Sequence, residues 1–185
     1  MDLLDRIFYG AMEELRDYGT KFTMDSLAAR LGISKRTLYE NVPSKHAVIE
    51  LVIDQTFADI KEQQRAVLEN KRLTTLEKLK KMFTIIPQFS ENIDYRRVTE
   101  LKKGYMDLYQ KIETELESDW EPALDLLNKG MEEGVIKKKN LTLLRILLTD
   151  IFEKLIDGNM LIKNGITYDV AMNELISIIF EGIAN

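Results

Sequence analysis

The sequence predicts an all-α protein, and three observations support this fold class. The chain of 185 residues contains only 9 Gly and 3 Pro, so few positions interrupt a helix. Few stretches alternate apolar with polar residues, as a half-buried strand would. Long segments instead place apolar residues at intervals of three and four, which is the spacing of an amphipathic helix. With 45% hydrophobic and 31% charged residues, the composition is typical of a folded globular protein.

The first part of the chain predicts three short helices followed by a long one. The first covers about residues 3–18, and the second follows Thr23, whose hydroxyl can cap free backbone amides. Gly32 ends the second helix. Ser34 caps the third, and Ser44 caps the long fourth helix. Three Ser/Thr caps, with a glycine turn between the second and third helices, outline a helix-turn-helix.

The rest of the chain is predicted to be helical as well, which gives about nine helices. The further helices are predicted at about residues 44–70, 74–90, 93–102, 105–133, 140–163 and 168–183. We expect two domains: a helix-turn-helix domain in residues 1–46, and a helical body in residues 47–185 that the long helix joins to it.

The third helix has a single apolar anchor, Leu38. At about 100° per residue, Ser34 and Val42 lie near the side of Leu38. The residues that point away from Leu38 form a polar and partly basic face: Arg36, Thr37, Tyr39 and Glu40. Such a helix is poorly suited to a protein core and well suited to the major groove of DNA.

The segment from Phe22 to Ile49 resembles the DNA-binding domain of the TetR (tetracycline-repressor) family. The matching pattern is Thr23-Met24, Leu27-Ala28, Leu31-Gly32-Ile33-Ser34, Lys35, Thr37-Leu38-Tyr39 and Pro43-Ser44-Lys45. The remainder of the chain matches the family in length and helix count. The resemblance implies a homodimeric repressor that binds a palindromic operator and is released by a small molecule. It also implies that residues 47–185 bind the ligand and form the dimer.

The resemblance and the chemistry of the side chains together predict the DNA interface. Arg36 is the first candidate for base reading, because a guanidinium can grip guanine O6 and N7. Thr37 could touch a base edge, and Glu40 could accept from cytosine or pair with Arg36. Lys35, Tyr39 and Lys45 are predicted phosphate partners. The amide ends of the helices capped by Thr23 and Ser44 can bind phosphate as well. The full predicted set is Thr23, Ser34, Lys35, Arg36, Thr37, Tyr39, Glu40, Ser44 and Lys45.

Other interpretations of these residues stay open at this point. Lys35 and Arg36 are alternatively ordinary solvated charges, and Tyr39 is alternatively structural. The net charge of −5 counts against a nucleic-acid binder. However, residues 21–45 hold five basic and two acidic residues, a local charge of +3. Screening confines surface fields to about 10 Å, so a basic module on an acidic body is consistent with DNA binding.

The last two predicted helices are apolar around most of their circumference, so they must be buried on more than one side. A second subunit would supply that side, through a two-fold four-helix bundle made from both terminal pairs. The alternative is a fully intramolecular core. The predicted dimer residues are Leu144, Leu148, Phe152, Leu155, Leu175, Ile176, Ile179 and Phe180.

The middle helices carry aromatic and apolar residues in the region where regulators of this family hold their inducers. We expect a pocket for a small apolar or aromatic inducer, with tyrosine hydroxyls as polar contacts. A plain core is the alternative interpretation of the same residues. The candidate pocket residues are Phe83, Ile86, Phe89, Tyr105, Tyr109, Trp120, Leu124 and Phe152.

Other classes of protein receive little support from the sequence. With one His and no Cys, neither a thiolate site nor a Glu-x-x-His di-metal site can be built. No glycine-rich phosphate loop or nucleophile elbow is present, so we expect no enzyme activity, metal or cofactor. The apolar stretches are shorter than the roughly 20 residues that cross a bilayer, so we expect a cytoplasmic protein without a membrane partner. A TetR-like helical protein-interaction module without operator binding is the alternative function.

Overall fold

The computed structural model describes residues 2–87, 96–118, 120–156, 161 and 163–183, and it confirms the all-α fold. The helices are α1 (Leu3–Tyr18), α2 (Met24–Leu31), α3 (Lys35–Asn41), α4 (Lys45–Glu69), α5 (Thr75–Phe83), α6 (Arg96–Glu100), α7 (Met106–Ser118), α8 (Glu121–Glu132), α9 (Leu141–Ile156) and α10 (Tyr168–Ile183). None of the helices in these ranges is long and apolar enough to cross a membrane.

The three predicted caps of the N-terminal helices are confirmed. The Oγ atoms of Thr23, Ser34 and Ser44 accept hydrogen bonds from backbone amides three residues further on, at 3.0, 3.0 and 3.1 Å. Each bond satisfies an N–H that the first turn of a helix leaves free. The caps therefore fix where α2, α3 and α4 begin.

Two of the predicted middle helices have different ends in the structure. The helix predicted over residues 105–133 is divided into α7 and α8, and Pro122 lies in the first turn of α8. Proline has no N–H and fits the first turn of a helix, but it disrupts a helix interior. The helix predicted over residues 74–90 ends at Phe83, before Pro87, because a residue preceding proline disfavours the helical conformation.

Internal contacts divide the chain into two compact units. The first unit comprises Met1–Asp59 and Pro87–Ile112, and the second comprises Ile60–Ile86 and Glu113–Asn185. Both α4 and α7 therefore contribute residues to each unit. The boundary predicted at residue 46 concerns the separation of DNA binding from ligand binding and remains a prediction.

In the first unit, α1 and α2 pack closely at Gly10. A Cβ atom on Gly10 would lie 2.7 Å from Cδ2 of Leu31 and 3.3 Å from Cδ1 of Leu27. The two helices can approach this closely because glycine has no side chain there. The buried apolar residues of this part of the chain include Ile7, Phe8, Ala11, Phe22, Leu27, Leu38, Val48 and Ile49.

A buried carboxylate ties α1 to α2 beside this core. Glu14 is only 2% exposed; it accepts from Arg30 Nε at 2.6 Å and from Ser26 Oγ at 2.5 Å. The two other ends of the same guanidinium donate to Glu13 at 3.0 Å and to Asp17 at 2.8 Å. These hydrogen bonds hold the pKa of Arg30 above its ordinary value, and the bond to Glu14 contributes most to this shift. The guanidinium therefore serves the packing of α1 on α2.

Polar contacts connect the N-terminal helices of the first unit to its later segment. The amide of Thr20 donates to a carboxylate oxygen of Glu100 at 3.0 Å. At the start of α4, His46 Nε2 lies 2.5 Å from Asp107 Oδ2, and this hydrogen bond lowers the pKa of Asp107. His46 is thus a helix-start residue with a carboxylate partner, as expected for a structural histidine.

The second unit packs α5, α8, α9 and α10 around one apolar cluster. The buried members are Leu79, Met82, Phe83, Trp120, Ala123, Leu126, Leu127, Ile136, Leu148, Ile176 and Phe180. A smaller cluster contains Leu155, Leu161 and Met172. Both terminal helices, α9 and α10, therefore contribute side chains to the interior of a single protomer.

Replacement of Glu14 by Ala is predicted to destabilise the protein by about 2 kcal/mol, because it leaves one edge of the Arg30 guanidinium without its buried acceptor. Urea unfolding measures this change. Glu13→Ala is the matched control, since it removes a half-exposed partner of the same guanidinium and is predicted to cost below about 0.5 kcal/mol. Equal losses for the two variants would contradict the structural role of Glu14.

Candidate nucleic-acid interface

A left-handed glycine sets the angle between α2 and α3. Gly32 has φ 64° and ψ 32°, a conformation that costs little for glycine and more for residues with a side chain. The amide of Gly32 donates to the carbonyl of Ala29, and the amide of Ile33 donates to that of Ala28, both at 3.1 Å. Arg6 donates to the carbonyl of Leu31 at 2.7 Å. The turn predicted from Gly32 is therefore stabilised by its own backbone hydrogen bonds and by the side chain of Arg6 from α1.

Burial of Leu38 holds α3 on the first unit. The side chain of Leu38 is 0% exposed, and Val42 at the end of the helix is also buried. A helix of seven residues is too short to persist in water by itself. Its orientation therefore depends on these two apolar contacts and on the Ser34 cap.

The face of α3 opposite Leu38 is open to solvent. The side chain of Arg36 is 88% exposed, and its Nε donates to Glu40 Oε1 at 2.8 Å. Tyr39 is exposed beside them. Thr37 is half-buried, and its hydroxyl lies 2.8 Å from Ser34 Oγ. Arg36, Tyr39 and Glu40 therefore form the accessible part of the predicted face.

Lys35 has a partner that the sequence analysis missed. Its ammonium donates to Asp25 Oδ2 at 2.5 Å, and both side chains are exposed. Asp25 lies in the first turn of α2, so the pair crosses the helix-turn-helix. No spacing rule within one helix predicts this pair, because it depends on the angle at Gly32. Exposed pairs of this kind contribute little to stability, so Lys35 can exchange Asp25 for another anion at low cost.

Lys45 is partly buried, whereas a lysine that binds phosphate needs an exposed ammonium group. Its Nζ donates to the carbonyl of Thr20 at 2.6 Å and lies 4.7 Å from the centroid of the Phe22 ring. Burial lowers the pKa of Lys45. This lysine connects the start of α4 to the segment after α1, and its predicted phosphate contact remains a prediction.

The basic residues counted in residues 21–45 therefore have different roles. Arg30 and Lys45 are used within the first unit. Lys35 and Arg36 are exposed, and each has an exposed carboxylate beside it. Lys21 is exposed as well. The surface around α3 thus presents cations that can reach a duplex, together with acids that compete for two of them.

The predicted inducer residues are divided between the two units. Tyr105 and Tyr109 belong to the first unit, where Tyr105 lies beside His46 and Lys102 covers the Tyr109 ring. Phe89 lies outside the described residues. The members in the second unit are Phe83, Ile86, Trp120, Leu124 and Phe152. Of these, Phe83, Trp120 and Phe152 are in mutual ring contact, and Leu124 packs against the same cluster.

The predicted dimer residues remain a prediction, and the structure gives their burial within one protomer. Leu148, Leu155, Ile176 and Phe180 are buried inside the protomer. The other four, Leu144, Phe152, Leu175 and Ile179, are partly buried against the same clusters. The large apolar residues that these helices expose are Leu143, Ile146, Leu147, Val170 and Ile178. The apolar excess predicted for α9 and α10 is therefore present, but it lies on neighbouring residues.

No protein-family model matches the chain. A curated relative, the uncharacterized HTH-type transcriptional regulator YvaF of Bacillus subtilis (strain 168), is 31% identical over 178 residues, which is 96% of this chain and 94% of the relative.

Solved structures share the fold at lower identity. The ketosteroid transcriptional regulator KstR2 of Mycobacterium tuberculosis has a TM-score of 0.68 at 17% identity, covering 100% of this chain and 96% of its own. FadR of Bacillus subtilis, in complex with stearoyl-CoA, has a TM-score of 0.70 at 20% identity, and the match covers 97% of this chain and 98% of FadR. The TetR family regulator PfmR of Thermus thermophilus has a TM-score of 0.70 at 19% identity, and the match covers 96% of this chain and 98% of PfmR. Together with the helix-turn-helix geometry, the relative of nearly equal length shows that the chain belongs to the helix-turn-helix transcriptional regulators, and the solved structures show that it has the fold of TetR family regulators.

Proposed function

We propose that this regulator is a homodimeric cytoplasmic repressor that binds a palindromic operator and leaves it when a small apolar or aromatic molecule binds. The observation that carries the proposal is the exposed Arg36 side chain on a helix whose opposite side is anchored by Leu38. A recognition helix presents its N-terminal residues to base edges in the major groove. Arg36 is the second residue of α3 and is suited to bidentate contact with guanine.

The neighbouring residues support a division between base reading and phosphate binding. Lys35 and Tyr39 flank Arg36 and are exposed, so they suit contacts that fix register without reading sequence. The capped starts of α2 and α4 add backbone amides and the positive ends of two helix dipoles. In the proposed dimer, two copies of α3 would enter successive major grooves about 34–36 Å apart.

The ion pairs around α3 favour a second candidate function. Asp25 and Glu40 place carboxylates on the surface that would approach the phosphates. A regulator-like module that binds another protein through its helices, without an operator, would have the same pairs. Salt dependence separates the two candidates, because phosphate binding releases counterions and weakens steeply as salt rises.

The exposed apolar residues of α9 and α10 support the dimer. Leu143, Ile146 and Leu147 recur at intervals of three and four on α9, and Ile178 on α10 is 66% exposed. Burying a large aliphatic side chain contributes about 1.5–3 kcal/mol, so a two-fold contact through both helices would be stabilising. A four-helix arrangement from two protomers is the simplest way to cover these residues.

An apolar ligand is supported by the ring cluster of the second unit. Phe83, Trp120 and Phe152 offer flat apolar surface with one indole N–H, which suits an aromatic or aliphatic molecule. The similar structure of FadR is in complex with stearoyl-CoA, a molecule with a long apolar chain, and this adds support for an apolar ligand here.

Selection of bound sequences from random duplex DNA is expected to give a palindromic consensus, and two variants then test the interface. Arg36→Ala is predicted to relax preference at one position in each half-site, by about 1–3 kcal/mol. Lys35→Ala is predicted to weaken all duplexes alike and to reduce the salt slope by about one. Lys129→Ala, an exposed lysine of α8, is the control. Wild-type binding of every duplex by both α3 variants would contradict the assignment.

Glu40→Gln and Asp25→Asn form a matched pair, because each removes one exposed carboxylate beside one cation of the surface around α3. Glu40→Gln is predicted to change the preferred base at the position that Arg36 reads, since the guanidinium loses the charged partner that orients it. Asp25→Asn is predicted to tighten binding to all duplexes about equally and leave the preference unchanged. Binding to a panel of single-base operator variants measures both effects. An unchanged preference in Glu40→Gln would rule out the orienting role.

Ile146→Glu is predicted to convert the dimer into monomers, because it places a charge in the apolar contact between subunits. Light scattering coupled to gel filtration measures the mass. The side chain of Ile146 is 57% exposed in the protomer, so the variant is expected to fold. Val135→Glu, at an exposed residue outside the helices of the second unit, is the control. A variant Ile146→Glu that remains dimeric would move the interface away from this face of α9.

A further inference from the structure

We propose that the indole N–H of Trp120 is the donor that recognises the ligand, and that the ligand is an apolar molecule with a neutral carbonyl or similar acceptor. This inference rests on the ligand-responsive function proposed above and specifies the chemistry of its effector. Trp120 is 6% exposed, and its Nε1 has no hydrogen-bond partner among the described residues. Buried indole N–H groups normally have a partner, so an unpaired one is open to an external acceptor.

The described residues that surround Trp120 are aromatic, and they supply no acceptor to its N–H. The ring of Phe152 stacks on the indole, with 5.8 Å between centroids and 13° between planes. The ring of Phe83 lies 5.8 Å away on a tilted plane, and Phe83 in turn contacts Phe180 at 6.1 Å. Aromatic rings have no lone pairs in their plane, and their faces are weak acceptors. The cluster therefore provides apolar contact to a ligand, while the N–H fixes the orientation of the ligand through one hydrogen bond.

The charge of the ligand follows from what the second unit buries. Among the residues of this unit whose burial the structure describes, Thr75 is the buried polar residue, and no charged side chain is buried. A carboxylate beside Trp120 would lose its hydration and gain a single neutral donor, which does not compensate a buried charge. A ketone, ester, thioester or amide carbonyl needs only one donor. The site thus favours neutral acceptors over anions as well as over hydrocarbons.

Three naphthalene probes of similar size separate these cases: 2-acetylnaphthalene has a neutral carbonyl, 2-ethylnaphthalene lacks an acceptor, and 2-naphthoate is charged. Isothermal titration of the full-length protein is expected to show the ketone binding about fivefold to tenfold more tightly than the other two. Trp120 is the single tryptophan of the chain. A tryptophan isostere in which sulfur replaces the N–H can therefore be placed at this position alone, with the ring shape retained.

The ketone preference is expected to disappear in the sulfur isostere, while the affinity for 2-ethylnaphthalene stays within about twofold. Trp120→Phe is the second variant and should lose the same preference. Three results would overturn the proposal: no binding of the ketone by the wild-type protein, equal binding of ketone and hydrocarbon, or a preference that survives in the isostere. Salt-dependent DNA binding of the same wild-type sample is measured in parallel. If the wild-type protein shows no salt-dependent DNA binding, the proposed regulator function is refuted, while the probe affinities still decide the role of Trp120.

Discussion

Burial of Leu38 is the constraint on which the proposed DNA-reading surface depends. A helix of seven residues gains too few backbone hydrogen bonds to offset the cost of forming its first turn. It persists because one leucine enters the core and because Ser34 caps its free amides. Both contacts lie on one side of α3, so the opposite side is left to Arg36, Tyr39 and Glu40. The orientation of the proposed sequence-reading face is thus fixed by a residue on the opposite side of the helix.

The acidic character of the protein is consistent with this surface once the partners of each charge are known. Arg30 contributes to the sequence count of basic residues, but its three donors are directed to carboxylates of α1. Lys35 and Arg36 keep exposed partners that contribute little to stability. Such pairs lower the attraction to any phosphate, whereas a correct base edge can compensate Arg36 for the loss of Glu40. In the proposed interface, a weakly basic surface is expected to reduce non-specific binding more than recognition of an operator.

Local signals in the sequence were sufficient for the N-terminal helices and insufficient for contacts between helices. The caps at Thr23, Ser34 and Ser44 and the turn at Gly32 act within a few residues, and all four are confirmed. The pair of Lys35 with Asp25 depends on how two helices cross, so spacing along the chain does not contain it. For α9 and α10, apolar residues occur on nearly every side. Periodicity therefore predicted burial on two sides without distinguishing the inner residues, such as Leu148, from the outer ones, such as Ile146.

The division of α9 into an inner and an outer side connects the ligand proposal to the dimer proposal. Phe152 stacks on Trp120 inside the second unit, while Ile146 and Leu147 lie on the exposed surface of the same helix. A ligand that places a carbonyl beside the indole N–H would lie next to this ring pair, and α9 carries one of the two rings. In the proposed dimer, α9 also carries the contact with the partner. A ligand shifts the protein only as far as it binds one arrangement of α9 more tightly than the other. Through Phe152, the proposed ligand and the proposed dimer contact would therefore act on the same helix.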